Sequence, residues 1–348
     1  MVRILSADAV REVLSLPELL PVVEAAFVKQ GRRAVERPPR AHFPVGIDMD
    51  ADSEVREDDA EETTGDTGDL PPERDTRPPL GTALTMPAYI HGRAMYATKL
   101  ASVHAANPDR GLSPVNAQVV LNDAATGLPL SFLDGTVITN ARTGCIGGLS
   151  VTHLSTGPVR LGVLGAGTQA RWQARAIAAA ADVESVRIYS PSESRETCAA
   201  DLRDAGLDAE AVTSPKAAVS DATVVVTATT STEPVFSAEW LAPGTLVIAI
   251  GAYTGEMQEV GPATFERAAR VFADVPEPVA AVGDVRESGL SEADLLPLSD
   301  VFEGKIGRQS DDEILLVESV GSAVLDAAAA EYLYGKARAN DVGKTVRV

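Results

Sequence analysis

The sequence predicts an α/β protein that combines a doubly wound parallel sheet with a second, α+β domain. Three observations support this fold class. Residues 159–275 alternate apolar strand-like runs with helical stretches, which is the pattern of a parallel sheet with crossover helices. The run at 159–164 (VRLGVL) passes directly into a glycine-rich turn that opens a helix. Residues 80–134 instead carry apolar runs between turn-forming residues, which predicts several short strands.

The N-terminal region is predicted to be helical over residues 6–31. Ser15 and Glu18 form a capping-box pattern around Pro17, which predicts the start of a second helix. The sequence RPPR at 37–40 then ends the helical region, because proline cannot continue a helix.

Residues 48–79 are interpreted as an acidic surface insertion. Within 48–77, 13 acidic residues accompany only 3 arginines, and large apolar side chains are few. Such a segment buries too little apolar surface to offset the entropy of ordering, so we expect it to be disordered. Its role stays open between adaptation to salt and a lid or partner contact.

The later elements are marked by turn and cap residues. Turns are expected at His91-Gly92, Asn107–Gly111 and Asp123–Gly127. Asp134 is expected to cap a helix over 136–153, in which small residues permit close packing. An alanine-rich amphipathic helix is expected over 321–339.

The composition argues against several functional classes. The 50 acidic and 30 basic residues give a formal net charge of −20, which would repel nucleic acid. No apolar run approaches the roughly 18 residues of a membrane span, and a signal-peptide pattern is lacking, so we expect a cytoplasmic protein. The two cysteines and four histidines show no metal-binding spacing. Only 6 of the 30 basic residues are lysines, which favours a salt-tolerant, halophilic source.

The strongest motif is GAGTQA, a GxGxxA sequence between a predicted strand and a predicted helix. Gly165 permits the tight turn, Gly167 lets the backbone approach a pyrophosphate, and Ala170 lets helix and strand pack closely. We therefore expect a Rossmann site for a dinucleotide rather than a glycine-rich turn that binds nothing. The other cofactor-binding residues of this loop are Thr168 and Gln169.

The end of the second predicted strand, at 183–189, bears on the choice between NAD(H) and NADP(H). An NAD site usually has an acid there that binds the ribose 2′-hydroxyl. Here Ser190 and Ser192 offer hydroxyls to a 2′-phosphate, and Arg195 offers a positive charge. We therefore expect NADP(H) before NAD(H); the alternative is that Glu193 takes the role of the acid.

Two further apolar strands, at 224–229 and 246–251, are expected to end at the rim of the cofactor crevice. The candidate cofactor contacts there are Thr227, Ala228 and Thr229. The alternative is that these threonines bond only the local backbone.

Three cations lie beside small or apolar residues and are candidates for chemistry. Lys99, in MYATKLAS, lies in a predicted strand, and burial lowers the pKa of a lysine enough for proton transfer. Arg40 and Arg142 are suited to hold a substrate carboxylate through bidentate bonds. The alternative is that each cation pairs with a structural acid.

In four segments the sequence resembles the ornithine cyclodeaminase/mu-crystallin family, which also contains archaeal-type alanine dehydrogenases and ketimine reductases. The segments are 84–145, 162–170, 233–252 and 317–330. The resemblance implies a homodimer with a substrate-binding and dimerisation domain at 1–134 and 320–348. A Rossmann domain would then occupy 135–319.

By motif match, the resemblance implies that Lys99 is the catalytic lysine and that Arg142 and Arg40 bind the substrate carboxylate. Ser319 and Gly321, in ESVGSA, match a late segment that approaches the nicotinamide.

The sequence departs from the cyclodeaminase members at two acids. Tyr253 stands where they carry an aspartate, and Leu84 and Thr85 stand where a glutamate precedes the Met-Pro pair. Glu256, the nearest acid to the first position, is displaced by three residues. Because those acids hold a second amine, cyclisation of ornithine is disfavoured.

The first functional hypothesis is an NAD(P)(H)-dependent oxidoreductase of small amino, oxo or imino acids, with alanine dehydrogenase-like amination of a 2-oxo acid as the best guess. Lys99 would move a proton, with a pKa lowered by its arginine neighbours. The alternatives are a cyclic ketimine reductase, an ornithine cyclodeaminase, and a non-catalytic, crystallin-like protein that binds NADP(H).

Overall fold

A computed structural model describes residues 1–47, 49 and 78–347, which form two eight-stranded sheets with packed helices. In chain order, the first elements are β1 (Val2–Leu5), α1 (Ala7–Val13), α2 (Leu16–Gly31), β2 (Val35–Glu36), β3 (Ala41–Val45), β4 (Gly81–Ile90), β5 (Met95–Val103), β6 (Val115–Asp123), β7 (Pro129–Asp134) and α3 (Gly135–Leu154).

The remaining elements begin with the strand that precedes the GAGTQA loop. They are β8 (Val159–Leu164), α4 (Thr168–Ala180), β9 (Val183–Tyr189), α5 (Ser194–Asp204), β10 (Ala209–Ala211), α6 (Pro215–Val219), β11 (Val224–Thr227), β12 (Leu246–Ala249), α7 (Pro262–Arg267), β13 (Arg270–Ala273), α8 (Pro276–Val279), α9 (Gly283–Ser288), β14 (Leu296–Pro297), α10 (Leu298–Phe302), β15 (Leu315–Glu318), α11 (Ala323–Ala339) and β16 (Lys344–Val346).

The second sheet is parallel throughout and has the order β10-β9-β8-β11-β12-β15-β13-β14. The chain runs outward from β8 in both directions, so the switch point lies between β8 and β11. This arrangement confirms the predicted doubly wound α/β class. The strands at 159–164 and 183–189 have the predicted bounds. The first is a largely apolar, buried run, and the second places polar residues between its apolar ones.

The first sheet has the order β16-β1-β7-β6-β5-β4-β2, and β3 pairs with β4. Its central strands β4 to β7 form an antiparallel meander. The expectation of short strands was wrong in length, since β4, β5 and β6 contain 10, 9 and 9 residues. The outward-facing residues of these strands are polar or only half-buried. They interrupt the apolar pattern in the sequence at positions where the strand continues, so each strand is longer than its apolar run.

Helix α3 begins behind Asp134, whose Oδ1 accepts a hydrogen bond from the Val137 N–H at 2.7 Å. The expected close packing of this helix is present. A Cβ at Gly144 would lie 2.8 Å from the carbonyl oxygen of Trp172 in α4, and one at Gly148 would lie 2.8 Å from that of Ala176. These glycines bring α3, which carries Arg142, against α4, the helix that follows the GAGTQA loop.

The predicted capping box at Ser15 and Glu18 was wrong in detail. Ser15 is the N-cap of α2, but among the described residues its side chain caps no N–H group. Glu18 instead accepts hydrogen bonds from Lys336 at 2.7 Å and Tyr332 at 3.2 Å, both in α11. A tertiary partner therefore takes the carboxylate that the local pattern assigned to the cap.

Two expectations are left as predictions. The acidic insertion at 48–79 lies almost wholly outside the described residues, so its disorder and role stay untested. The domain boundaries at 134/135 and 319/320 also stay predictions. Among the helices that the structure describes, none has the length and apolar character needed to cross a membrane.

Candidate active site

The carboxyl end of β8 meets the loop after β11 at the switch point of the parallel sheet. Gly165 has a φ of +108°, which favours glycine. A Cβ there would collide with the carbonyl oxygen of Ala228, and it would lie 3.2 Å from the Thr229 side chain. Gly165 therefore allows the two strand ends to approach closely.

The rest of this loop, between Gly165 and the start of α4, has a geometry that fits a dinucleotide. Gly167 is the N-cap of α4, and a Cβ there would meet no other described atom within 4 Å, which leaves room for a pyrophosphate. Thr168 is exposed in the first turn. Gln169 donates to Asn140 at 2.8 Å, and its buried Oε1 has no hydrogen-bond partner within the described part of the chain. An unpartnered acceptor at this position suits a ligand donor.

Three serines cluster after β9. The Oγ atoms of Ser192 and Ser194 lie 2.6 Å apart, and that of Ser190 lies 3.3 Å from Ser194. Arg195 donates to the carbonyl oxygens of Ser190 and Ser192, both at 3.1 Å, so it braces the loop. Glu193 is exposed at the N-cap of α5. The structure thus gathers the residues proposed to select the cofactor.

The predicted contacts at the end of β11 divide into two kinds. Ala228 and Thr229 are half-buried beside Gly165. The Thr227 hydroxyl is fully buried and donates to Glu259 at 3.0 Å, so it faces a structural acid. The alternative expectation was that these threonines bond only the local backbone. Thr227 does bond within the protein, but its acceptor is the side chain of Glu259.

Lys99 and Arg142 converge on one buried carboxylate. Lys99 lies on the inner face of β5, and its Nζ is 2.7 Å from Oδ2 of Asp326 in α11. The Nε of Arg142, in α3, is 2.9 Å from the other oxygen of Asp326. Lys99 also lies 3.4 Å from the hydroxyl of Thr139. Three elements that are distant in sequence therefore build one charged cluster.

This cluster is desolvated, which alters its titration. Burial is the largest influence on Lys99 and lowers its pKa to about 8, while Asp326 acts in the opposite direction. Arg142 and Arg40 lower it further by smaller amounts, in the direction that the sequence predicted. Burial also acts to raise the pKa of Asp326, but Arg142 and Lys99 outweigh it and hold that pKa below its ordinary value.

Arg40 reaches the same place from the chain between β2 and β3. Its guanidinium donates to the carbonyl oxygens of Val320, at 2.8 Å, and of Gly321. Gly321 has a φ of +78°, and a Cβ there would lie 2.5 Å from a guanidinium nitrogen of Arg142. The segment after β15 therefore contacts both arginines and links them to the carboxyl edge of the parallel sheet.

Asp274, directly after β13, holds this segment in place. One of its oxygens accepts hydrogen bonds from the Ser319 hydroxyl at 2.7 Å and the Gly321 N–H at 2.6 Å. The other accepts from the N–H groups of Val275 and Val320. The Ser319 hydroxyl therefore donates to a protein acid, whereas the family resemblance implied that it lies near the cofactor.

The predicted residues thus fall into two groups. Lys99, Arg40 and Arg142 gather around Asp326 and the segment at Gly321, and the glycine loop adjoins the ends of β8 and β11. Sequence reasoning missed Asp326 and Asp274. The available signals were a lone acid within an alanine-rich helix (LDAAAA) and an acid directly after an apolar strand (RVFAD).

Of the positions that depart from the cyclodeaminase pattern, two follow β12 and one lies in β4, the strand that pairs with the Lys99 strand. Tyr253 follows β12 and is 43% exposed, and Glu256 is exposed. Leu84 pairs in register with Ala101, two residues beyond the pairing of Met86 with Lys99. Leu84 therefore shares the Lys99 face of the sheet and gives it an apolar side chain.

Comparisons with known proteins agree with this architecture. The chain is 34% identical over 275 residues to a Δ1-pyrroline-2-carboxylate reductase of Bacillus cereus, a match that covers 76% of this chain and 84% of that protein. It is 29% identical to the alanine dehydrogenase of Archaeoglobus fulgidus, over 99% of this chain and 98% of that one.

Two solved structures extend the comparison. The Δ1-pyrroline-2-carboxylate reductase of Thermococcus litoralis, in complex with NADH and L-proline, matches with a TM-score of 0.85 and 27% identity, over 99% of this chain and 100% of that one. An archaeal alanine dehydrogenase dimer with bound NAD matches with a TM-score of 0.83 and 28% identity, over 99% of each chain. The ornithine cyclodeaminase/mu-crystallin family model matches residues 48–341, and the chain belongs to this family.

Proposed function

We propose that the protein is an NAD(P)(H)-dependent oxidoreductase that reduces the C=N bond of a small 2-imino acid and, in reverse, oxidises the amino acid. The observation that carries this proposal is the buried Lys99–Asp326–Arg142 cluster, which adjoins the carboxyl edge of a dinucleotide-binding sheet. The curated relatives named above are reductases or dehydrogenases of such compounds.

The two arginines are suited to bind the substrate carboxylate. Arg142 directs Nε at Asp326, which leaves its terminal nitrogens toward Gly321. Arg40 approaches the same segment and makes its bonds there with backbone carbonyls. We propose that a substrate carboxylate displaces those carbonyls and binds both guanidinium groups, since charge-assisted bonds are stronger than neutral ones.

Lys99 is suited to move the proton. In reduction, its Nζ donates a proton to the substrate nitrogen; in oxidation, it removes one. A pKa of about 8 allows both protonation states near neutral pH. Asp326 orients the Lys99 Nζ and holds Arg142 beside it. One acid therefore positions both the proton donor and the arginine that binds the substrate carboxylate.

The bound nicotinamide cofactor would supply or accept the hydride. The residues that would hold it are Gly165, Gly167, Thr168, Gln169, Ala228 and Thr229. NADH and NAD are the cofactors named for the two solved relatives. The serine cluster with Arg195 supports NADP(H) as the preferred cofactor, because acceptor-rich phosphate suits those hydroxyls and that charge.

Two substrates compete within this reaction class. Amination of a small 2-oxo acid, as in alanine dehydrogenase, is supported by the relative that matches the whole chain. Reduction of a cyclic ketimine such as Δ1-pyrroline-2-carboxylate is supported by the higher identity of the Bacillus relative and by the apolar Leu84 and Ala101 beside Lys99. The lyase and the non-catalytic binder remain as further alternatives.

One assay separates these possibilities. The absorbance of NADH or NADPH is followed in high-salt buffer with pyruvate plus ammonium, and separately with Δ1-pyrroline-2-carboxylate. Oxidation that needs ammonium indicates a dehydrogenase, and oxidation by the ketimine alone indicates an imine reductase. Oxidation in neither case, with ammonia release from ornithine, would overturn the proposal. Faster oxidation of NADPH than of NADH would support the NADP(H) preference inferred from Ser190 and Arg195, and the reverse would contradict it.

We also propose a homodimer, as named for the archaeal alanine dehydrogenase. The outer face of the first sheet supports it. Ile4 and Phe132 are direct neighbours in register and are 42% and 39% exposed, and Leu100 on the same face is 37% exposed. An apolar stripe of this kind favours association. Light scattering should give about twice the 36.3 kDa chain mass.

A further inference from the structure

We propose that Glu259 is a positioning residue for the dinucleotide, because its carboxylate joins the ends of β11 and β12 at the cofactor crevice. Glu259 lies between β12 and α7 and is fully buried. The inference rests on the proposed function, since it assigns a task within the same crevice.

The carboxylate accepts hydrogen bonds from both strand ends. Its Oε2 accepts from the Gly251 N–H at 2.7 Å and from the Thr227 hydroxyl at 3.0 Å. Its Oε1 accepts from the Thr229 N–H at 2.5 Å. Thr227 ends β11, and Gly251 follows the end of β12, so one side chain fixes the separation of two neighbouring strands.

The ends of β11 and β12 are closely packed around the Glu259 carboxylate. A Cβ at Gly251 would collide with the Thr229 carbonyl oxygen and would lie 2.6 Å from the Glu259 Oε1 atom. The next residue back, Ala228, is the one that Gly165 contacts across the switch point. A shift of the 227–229 loop would therefore be transmitted directly to the glycine turn that is proposed to bind the pyrophosphate.

Glu259 is itself held by a second buried acid. Oδ1 of Asp284, in α9, accepts from the N–H groups of Glu259 at 2.6 Å and Val260 at 2.9 Å. The carbonyl oxygen of Glu259 accepts from the Val235 N–H at 2.9 Å. Both the side chain and the backbone of Glu259 are thus fixed, which is what a residue that sets the spacing of a crevice requires.

Glu259 acts through backbone groups on the cofactor side of the site. The Lys99–Asp326–Arg142 cluster is joined to the sheet at the segment after β15, through Gly321, whereas Glu259 serves β11 and β12. Loss of its function should therefore affect cofactor binding before it affects the binding of the oxo or imino acid.

The test is the nearly isosteric variant Glu259→Gln. An amide presents one donor in place of an acceptor oxygen, so at least one of the three donors loses its partner. We expect the Kd for NADH and NADPH, measured by fluorescence titration without a second substrate, to rise by about tenfold or more. The KM for the cofactor should rise in proportion, while the KM for the oxo or imino acid changes much less.

The matched control is Glu313→Gln. Glu313, like Glu259, accepts hydrogen bonds from a side chain and from a backbone N–H, here Arg270 and Gln309, both at 2.8 Å. It lies before β15, at the opposite edge of the sheet. The Glu313→Gln variant should have lower thermal stability and a cofactor Kd near the wild-type value. If Glu259→Gln does not fold, Thr227→Val removes one donor with little change of shape and should give a smaller weakening of cofactor binding.

The outcomes are distinct. A wild-type protein that binds neither NADH nor NADPH would contradict the proposed function and this inference with it. A wild-type protein that binds cofactor, together with a Glu259→Gln or Thr227→Val variant of unchanged Kd, would overturn only the role of Glu259.

Discussion

The Nζ atom of Lys99 and the carboxylate of Asp326 lie 2.7 Å apart, and the two side chains are only 4% and 2% exposed. A charged pair at this depth is stable only if both partners are present and further bonded. Arg142 supplies the further bond, which makes Asp326 the centre of the proposed substrate site.

Replacing Lys99 by alanine should abolish turnover and retain cofactor binding. General acid–base catalysis contributes about 10²- to 10⁴-fold, so kcat should fall by that order or more, to a rate that the cofactor-oxidation assay does not detect. The NADH and NADPH titrations should be unchanged, because Lys99 lies on the other sheet from the glycine loop. The exposed Lys216 provides the control, since Lys216→Ala should behave as wild type. Turnover that survives in Lys99→Ala would remove Lys99 from the mechanism.

The pH dependence should have opposite signs in the two directions of reaction. The pKa of Lys99 is about 8, lowered by burial. Imine reduction needs the protonated amine as a donor, so kcat/KM should fall as the pH rises through about 8. Amino-acid oxidation needs the neutral amine as a base, so it should rise over the same range. If kcat/KM changed with pH in the same sense for reduction and for oxidation, Lys99 would be excluded as the titrating group.

Replacing Asp326 by asparagine should shift this pH dependence downward. The Asp326 charge raises the pKa of Lys99, so its removal lets burial and Arg142 lower that pKa further. Breaking a buried ion pair should also reduce the free energy of unfolding by about 3–5 kcal/mol. Asp341, which pairs with Arg3 at 3.2 Å and is 94% exposed, is the control. Asp341→Asn should cost about 0–1 kcal/mol and leave the pH profile unchanged.

Gly321→Ala should weaken binding of the carboxylate substrate. The added Cβ lies 2.5 Å from an Arg142 guanidinium nitrogen, so the arginine must move. Loss of a charge-assisted bond should raise the KM for the oxo or imino acid by about 10- to 100-fold. Gly304 has a similar φ of +70° against the +78° of Gly321, and a Cβ there meets nothing in the described chain within 4 Å. Gly304→Ala therefore controls for backbone strain and should leave that KM unchanged.

The sequence was most informative where the signal is local. The strand before the glycine loop, the loop itself and the helix after Asp134 depend on consecutive residues, so their patterns are readable in one dimension. Lys99 and Arg142 were noticeable because cations are unusual beside small apolar residues.

Asp326 shows why the remainder was not predicted. It lies 184 residues from Arg142 in sequence, and an acid in the first turn of a helix usually serves the helix dipole. Glu259, in the loop before α7, and Asp274, directly after β13, likewise resemble solvated loop acids in the sequence, although the fold buries both. Their roles depend on which backbone groups the tertiary structure leaves unpaired nearby.

The most direct test of the central claim is stoichiometric reduction of Δ1-pyrroline-2-carboxylate, with pyruvate plus ammonium tested alongside it. The account predicts that wild-type protein oxidises NADPH or NADH only when one of these substrates is present, and forms one amino acid per cofactor consumed. Lys99→Ala should bind the cofactor and form none. Wild-type protein that leaves both cofactors unoxidised with both substrates would contradict the account.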